Sequence, residues 1–274
     1  MELEFWGVRG TFPVSDKEKM KYGGHTPCAS LISPQGETII IDGGTGIKNL
    51  GNELIKQSRE EGLHLYLLLT HFHLDHILGF PFFAPLYSSR TFLTIYAPLE
   101  PKETKKYLAG LMGGRYYPLS LRDAKSVVVF KKLEEKNFTL SGAQVSSCAL
   151  HHPQGSVAYR LESGGKSVVF ATDTEHPETG IDEKLAYFAQ GATHLVYDAT
   201  YTPEEYGAGG GKQGWGHSTW LEGTRLAKAA KVGELILSHW NPDHSDQQLD
   251  EVVALAQKEF RSSCGAQERL KRFL

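Results

Sequence analysis

The segment that most constrains this chain is Thr70-His71-Phe72-His73-Leu74-Asp75-His76, which follows directly on an apolar run over residues 63–69. That run is rich in leucine, bounded by Gly62 and the polar cluster, and too short for a helix, so it reads as a buried strand. A strand that opens into three histidines and a carboxylate puts four ligand-type side chains on one loop. Alternate residues of such a loop point the same way, so His71 and His73 can grip one ion while Asp75 and His76 face a second. Imidazole and carboxylate together suit zinc, with manganese, iron and cobalt as alternatives.

One loop cannot complete two coordination spheres, so further His and Asp are expected at other strand ends. Three places answer: His151-His152-Pro153, Thr172-Asp173-Thr174 and Ser238-His239-Trp240, each directly after an apolar strand pattern. Strands are also expected over 3–6, 29–32, 37–41, 92–96, 127–130, 138–140, 157–161 and 194–197. The strand over 37–41 stops at Asp42-Gly43-Gly44-Thr45-Gly46, a tight turn into a helix carrying Ile47, Leu50, Leu54 and Ile55 on one face. This glycine cluster has neither Gly-x-x-x-x-Gly-Lys-Ser/Thr nor Gly-x-Gly-x-x-Gly, so it is a poor phosphate cradle. Asp42 is expected instead to support a ligating histidine from behind. Further helices are expected over 101–112, around Ile181, Leu185 and Phe188, over 218–231, and from Ser245 with Leu249, Val252, Val253, Ala256 and Phe260 on one stripe. Gly113-Gly114-Arg115-Tyr116-Tyr117-Pro118 is the candidate flap, with a glycine hinge and aromatic tip.

Composition narrows the setting. The 274 residues can bury a sizeable core and contain no convincing linker, so one domain over 1–274 is expected. A formal charge of −3, from 29 basic and 32 acidic residues, gives no bulk attraction to nucleic acid or membrane. Cys28, Cys148 and Cys264 are odd in number and widely spaced, which fits a reducing compartment rather than a disulfide framework. With no signal-peptide pattern and no apolar run approaching the ~20 residues of a spanning helix, a cytoplasmic protein is expected.

The His-x-His-x-Asp-His motif resembles the metallo-β-lactamase superfamily of mostly dinuclear hydrolases. Phe5-Trp6-Gly7-Val8-Arg9-Gly10, Tyr22-Gly23-Gly24, Asp42-Gly43-Gly44-Thr45-Gly46, His152-Pro153-Gln154-Gly155, Asp198-Ala199-Thr200-Tyr201-Thr202 and Gly216-His217-Ser218-Thr219 are similar to its phosphodiesterase branch. That branch includes RNase Z, cyclic-nucleotide phosphodiesterases and phosphoribosyl cyclic phosphate phosphodiesterases. Periodicity alone gives mixed α/β; the resemblance implies a four-layer αββα sandwich. It also implies the ligand set: His71, His73 and His152 on one divalent ion, Asp75, His76 and His239 on the other, and Asp173 bridging. His152 is preferred to His151 because it directly precedes Pro153, although Gln154 replaces a glycine of the usual pattern. Asp75, Asp198 and His217 are the catalytic candidates, His217 as proton donor oriented by Asp198, where RNase Z more usually has Glu. His25 stands where Asn is usual.

The resemblance thus implies hydrolysis of a phosphodiester by a metal-activated hydroxide, with a small cyclic nucleotide or cyclic phosphate as substrate. One alternative is RNase Z-type tRNA processing. Residues 99–125 offer only a short, mildly basic segment in place of an RNA-gripping arm, so nucleic acid comes second as a partner. Another is thioester or lactone hydrolysis, which needs no Asp198/His217 pair. A homodimer is implied by resemblance alone.

Overall fold

The apolar runs of the two halves of the chain build two sheets. The computed structural model describes residues 1–58, 62–133, 137–207 and 210–274. β1 (Glu2–Gly7), β2 (Cys28–Ile32), β3 (Thr38–Ile41), β4 (Leu63–Leu68), β5 (Thr91–Ala97) and β6 (Val127–Lys132) lie side by side in that order. β7 (Phe138–Leu140), β8 (Ala143–Leu150), β9 (Ser156–Ser163), β10 (Lys166–Ala171), β11 (His194–Asp198), β12 (Glu234–Ser238) and β13 (Ser263–Gly265) form the second sheet, also in chain order. A final strand, β14 (Lys271–Phe273), returns to the first sheet and pairs antiparallel with β1.

Each sheet has an antiparallel part and a parallel part. β3 to β6 run parallel, as do β10 to β13. Parallel strands bring their C-terminal ends to one edge, where the following loops can converge on a ligand. β8 is antiparallel to β9, which is antiparallel to β10, so β8 ends at that same edge.

β3 shows how the layers form. Ile39 and Ile41 face the second sheet and share a core with Leu31, Leu68, Tyr159, Leu161, Val168 and Phe170. Ile40 points the other way, into a separate core with Ile47, Leu50 and Leu54. Burying each such side chain contributes about 1.5–3 kcal/mol. The outer layer of the first sheet is α1 (Ile47–Gln57), a short α2 (Leu74–Ile77) in the metal loop, and α3 (Pro101–Gly110). The second sheet is covered by α4 (Glu183–Phe188), α6 (Trp220–Ala230) and α7 (Asp246–Glu259), with α5 (Pro203–Tyr206) in a connecting loop. The αββα sandwich is therefore present.

Some boundaries differ from those expected. α3 stops at Gly110, ahead of Gly113 and Gly114 at φ 81° and 62°. Ile181 precedes α4, because Asp182 caps it by accepting from the Leu185 N–H. Thr219 caps α6, so Ser218 lies outside it, and left-handed Lys231 closes it. Ser245 does cap α7, in a box with Gln248. Among the described residues, no helix is long and apolar enough to cross a membrane.

Candidate metal centre

The loops at the shared edge carry the site. Asp42 follows β3 directly, Asp173 lies two residues past β10, and His239 follows β12 directly; their φ angles are 60°, 57° and 60°. A left-handed conformation costs a residue with a Cβ roughly 1–2 kcal/mol. Such strain at three strand ends of one cleft is what a functional site concentrates.

The side chains expected from sequence come together. The Asp173 carboxylate lies at the centre: Oδ2 is 3.1 Å from His76 Nε2, and Oδ1 is 3.3 Å from His239 Nε2 and 3.8 Å from both His71 Nε2 and His152 Nε2. Asp75 Oδ2 is 3.4 Å from both His76 Nε2 and His239 Nε2. His71, His73 and His152 form one group able to hold an ion, and Asp75, His76 and His239 form another.

The opposite edge of each ring fixes its tautomer. His76 Nδ1–H donates to the Asp42 carboxylate at 2.8 Å. The Thr70 hydroxyl donates to the same carboxylate and therefore accepts from His71 Nδ1–H at 3.0 Å. Thr200 repeats this device, donating to Asp198 and accepting from His239 Nδ1–H at 2.9 Å. His152 Nδ1–H donates to the Gly216 carbonyl at 2.7 Å. His73 is turned round, with Nε2–H on Gln154 Oε1 at 2.9 Å. Each of the five rings thus commits one nitrogen outward and turns the other inward, which is the orientation a metal requires. Bare His73 Nδ1 and His152 Nε2 lie only 3.0 Å apart, an approach that a cation relieves.

Four atoms carry the test of fit. His71 Nε2, His76 Nε2, His239 Nε2 and Asp173 Oδ2 are buried without a hydrogen-bond partner. Leaving a buried polar group unsatisfied costs about 1–3 kcal/mol, so four converging on one spot call for a cation. The electrostatics show ionised carboxylates that hold positive charge in this spot, a proton on His76 when no ion is bound. Burial and the neighbouring His76 push His71 well below the usual imidazole range. Burial would lower His76 too, but Asp173, Asp75 and Asp42 outweigh it and hold it well above that range. Against burial, the surrounding imidazoles keep the Asp75 and Asp173 carboxyls far below the usual carboxylate range. The residues fit a pair of divalent ions.

Beside this cluster, His217 Nδ1–H donates to Asp198 Oδ2 at 2.9 Å, and the His217 ring stacks on His239 at a centroid distance of 5.0 Å. Asp198 is fully buried and also accepts from the Asp173 and Ser218 backbone N–H groups and from the Thr200 N–H and hydroxyl. With Nδ1 committed, Nε2 is the His217 nitrogen that can release a proton. Burial opposes the charged ring, but Asp198 wins and raises it to about 9.

Other expectations resolve plainly. His151 is exposed and 3.9 Å from Asp182, away from the cluster. His25 contacts Thr45 and Asn49, bracing the turn before α1. In the flap, Tyr116 is 90% exposed, while Tyr117 packs its ring on Phe82. Thr11, Thr70, Thr200 and the Gly216 carbonyl carry no sequence signal of a role, because their partners are side chains met only in the fold. Thr11 N–H donates to Asp75 at 2.7 Å. Gly10 has a role beyond its motif: a Cβ there would lie 2.3 Å from the His239 ring. Gln154, the departure from the usual glycine, is the residue that orients His73.

Comparison with known proteins follows the same lines. Ribonuclease Z of Lactiplantibacillus plantarum is 25% identical over an alignment covering 96% of this chain and 94% of that protein. The crystal structure of the metallo-β-lactamase fold protein YhfI from Bacillus subtilis superposes with a TM-score of 0.74 at 19% identity, covering 99% of this chain and 98% of that one. The short form of human tRNase Z gives 0.66 at 17% identity, covering 100% and 99%. The pattern of the beta-lactamase superfamily domain matches residues 37–240. Because that match spans more than half of the chain and contains the site residues from Asp42 to His239, the chain belongs to the beta-lactamase superfamily.

Proposed function

We propose that this protein is a phosphodiesterase working with two divalent ions, zinc by the donor set. His71, His73 and His152 would hold one ion, Asp75, His76 and His239 the other, and Asp173 would touch both. The observation that carries the reading is five inward-facing imidazole nitrogens around one buried carboxylate, with the hydrogen-bonded His217–Asp198 pair beside them. When bound, the ions supply a water of lowered pKa and offset charge on the phosphoryl oxygens.

The chain's own groups do the rest. Asp173 sits within reach of both histidine groups and would be the ligand they share. Asp75, held by the Thr11 N–H, would orient the attacking water as a hydrogen-bond acceptor, the water's proton passing to solvent. His217 Nε2–H donates a proton to the departing oxygen, and Asp198 stabilises the imidazolium beforehand. Acid help of this kind is typically worth about 10²–10⁴-fold. Thioester and lactone hydrolysis need no such donor, so the pair favours a phosphodiester.

The substrate is proposed to be small and cyclic. Apolar side chains flank the ligands at the surface: Leu74 within the metal loop, Phe12 beside Thr11, and Trp215 beside Gly216 are 56%, 66% and 56% exposed. They offer a wall for a base or other flat group. A second reading, RNA trimming, is favoured by the relatives named ribonuclease Z and by one flank of the molecule. Residues 101–132 carry Lys102, Lys105, Lys106, Arg115, Arg122, Lys125, Lys131 and Lys132 against only Glu103 and Asp123. This stretch, α3 through β6, is more basic than a reading of its first part suggests. The three cysteines are unpaired, in keeping with a cytoplasmic setting. Turnover of bis-p-nitrophenyl phosphate, cyclic mononucleotides, cyclic dinucleotides and a precursor tRNA in parallel tests the proposal. Cleavage of a cyclic nucleotide supports it. Trimming of the tRNA alone, with a steep salt dependence, gives the second reading.

A further inference from the structure

The segment carrying His217 is unusual in composition: Gly207, Gly209, Gly210, Gly211, Gly214 and Gly216 precede it in the sequence. Glycine loses more conformational freedom on ordering than any other residue, so such a segment needs an external anchor. The position of its end nearest His217 is nonetheless tightly specified. Gly216 has φ 82°, and a Cβ there would fall 2.2 Å from Pro153 and 2.4 Å from the His152 ring. The backbone passes hard against His152, whose Nδ1–H it receives.

The anchor lies two residues beyond Asp173. Glu175 Oε1 accepts from the Gly214 N–H at 2.6 Å and from the Tyr206 hydroxyl at 2.7 Å, and Oε2 accepts from the Gly216 N–H at 2.9 Å. Its neighbour His176 contacts Ser218 Oγ at 2.9 Å, and Ser218 Oγ is also 3.0 Å from the Tyr197 hydroxyl. Residues 175 and 176 therefore hold the positions on either side of His217. Glu175 N–H in turn donates to the His151 carbonyl at 2.7 Å, tying this anchor to the loop that bears His152.

We propose that Glu175 is a positioning residue for the general acid: it fixes Gly214 and Gly216, and through them the place of His217 at the departing oxygen. The inference rests on the phosphodiesterase reading, in which His217 is the donor. The carboxylate suits the task because it only accepts and has two oxygens for two successive glycine N–H groups and a hydroxyl. Glutamine at this position keeps one acceptor but turns a donor toward another donor. Alanine keeps none.

The test uses the metal-loaded protein and diaryl phosphates running from p-nitrophenyl to unsubstituted phenyl leaving groups. Glu175→Ala, Glu175→Gln, His217→Ala and the Glu175→Ala/His217→Ala double variant are compared with the wild type. Misplacing a reacting group by about 1 Å can cost ~10²-fold. Glu175→Ala is expected to lower kcat ~10-fold or more for the phenyl ester and no more than ~3-fold for the nitrophenyl ester, with two ions retained. Glu175→Gln is expected to fall between, and the double variant to be no slower than His217→Ala, since both changes act on one donor. Equal loss along the series, or losses that add to those of His217→Ala, overturns the positioning role. If His217→Ala is itself indifferent to the leaving group, the acid assignment fails first and the inference with it.

Discussion

Replacing Asp42 by asparagine isolates a single physical quantity, the tautomer of His76. Asp42 is 2% exposed and holds φ 60°, a conformation asparagine adopts readily, so Asp42→Asn should leave backbone and packing unaltered. What changes is donor and acceptor chemistry. The carboxylate accepts from Thr70 N–H and His76 Nδ1–H, both at 2.8 Å, and from the Thr70 hydroxyl at 2.9 Å. An amide has one acceptor oxygen and one donor group. If its NH2 faces His76, the ring keeps the contact only by moving its proton to Nε2, the nitrogen an ion needs bare. If its NH2 faces Thr70, it opposes a buried N–H. Either arrangement costs about 1–3 kcal/mol, which matches the 10–100-fold loss of affinity usual when a ligand's hydrogen-bond partner is removed. Competition with a chromophoric chelator should show the ion at His76 weakened about 10–100-fold and the ion at His71, His73 and His152 weakened less. Nitrogen–proton correlation spectra of the imidazoles should show the His76 tautomer altered. Unchanged affinity with His76 Nε2 still bare would refute the idea that Asp42 sets the ligand form.

Other outcomes follow from the same geometry. Asp173→Ala should lower affinity for both ions and abolish turnover of every substrate, read by metal analysis and by rate. Gly10→Ala should displace the His239 ring, leaving close to one tightly held ion per chain instead of two, with the three-histidine group intact. In the metal-stripped protein, the His217 ring should titrate at about 9 by NMR, because Asp198 outweighs burial there. Removing that charge in Asp198→Asn should lower the ring's titration, since only Asp173 and Asp75 then oppose burial.

The site was legible because its residues are chemically dense and sit where strands stop. His71 to His76 are adjacent in sequence, and His152, Asp173 and His239 each follow an apolar run that predicts its own strand. Asp42 could be read as a supporting residue because it ends a β-branched run beside that loop. What local pattern could not reveal are contacts made at long range. Glu175 meets Tyr206, Gly214 and Gly216 only in the fold, and nothing in its neighbourhood marks it. Arg9 belongs to a recognisable motif, yet its burial shows only in the structure, where it donates to the carbonyls of Gly23, Lys19, Asn241 and His244. It thereby joins the loop after β1 to the loop after His239.

Short elements were also hidden. β13 and β14 are three residues each, Ser-Cys-Gly and Lys-Arg-Phe, with neither β-branched enrichment nor useful alternation. They exist because a neighbouring strand offers a free edge, and in β14 because Arg272 pairs with Glu234 and Lys271 with Glu2. Periodicity also overran the ends of α3 and α4, where glycine conformation and the Asp182 cap decide the boundary.

Returning metal stepwise to stripped protein, while counting bound ions and following bis-p-nitrophenyl phosphate hydrolysis, tests the central claim most directly. The account predicts two ions per chain, hydrolysis that appears as the second binds, and its loss on adding chelator. Full activity with one ion, or two ions bound with no phosphodiester cleaved, would contradict it.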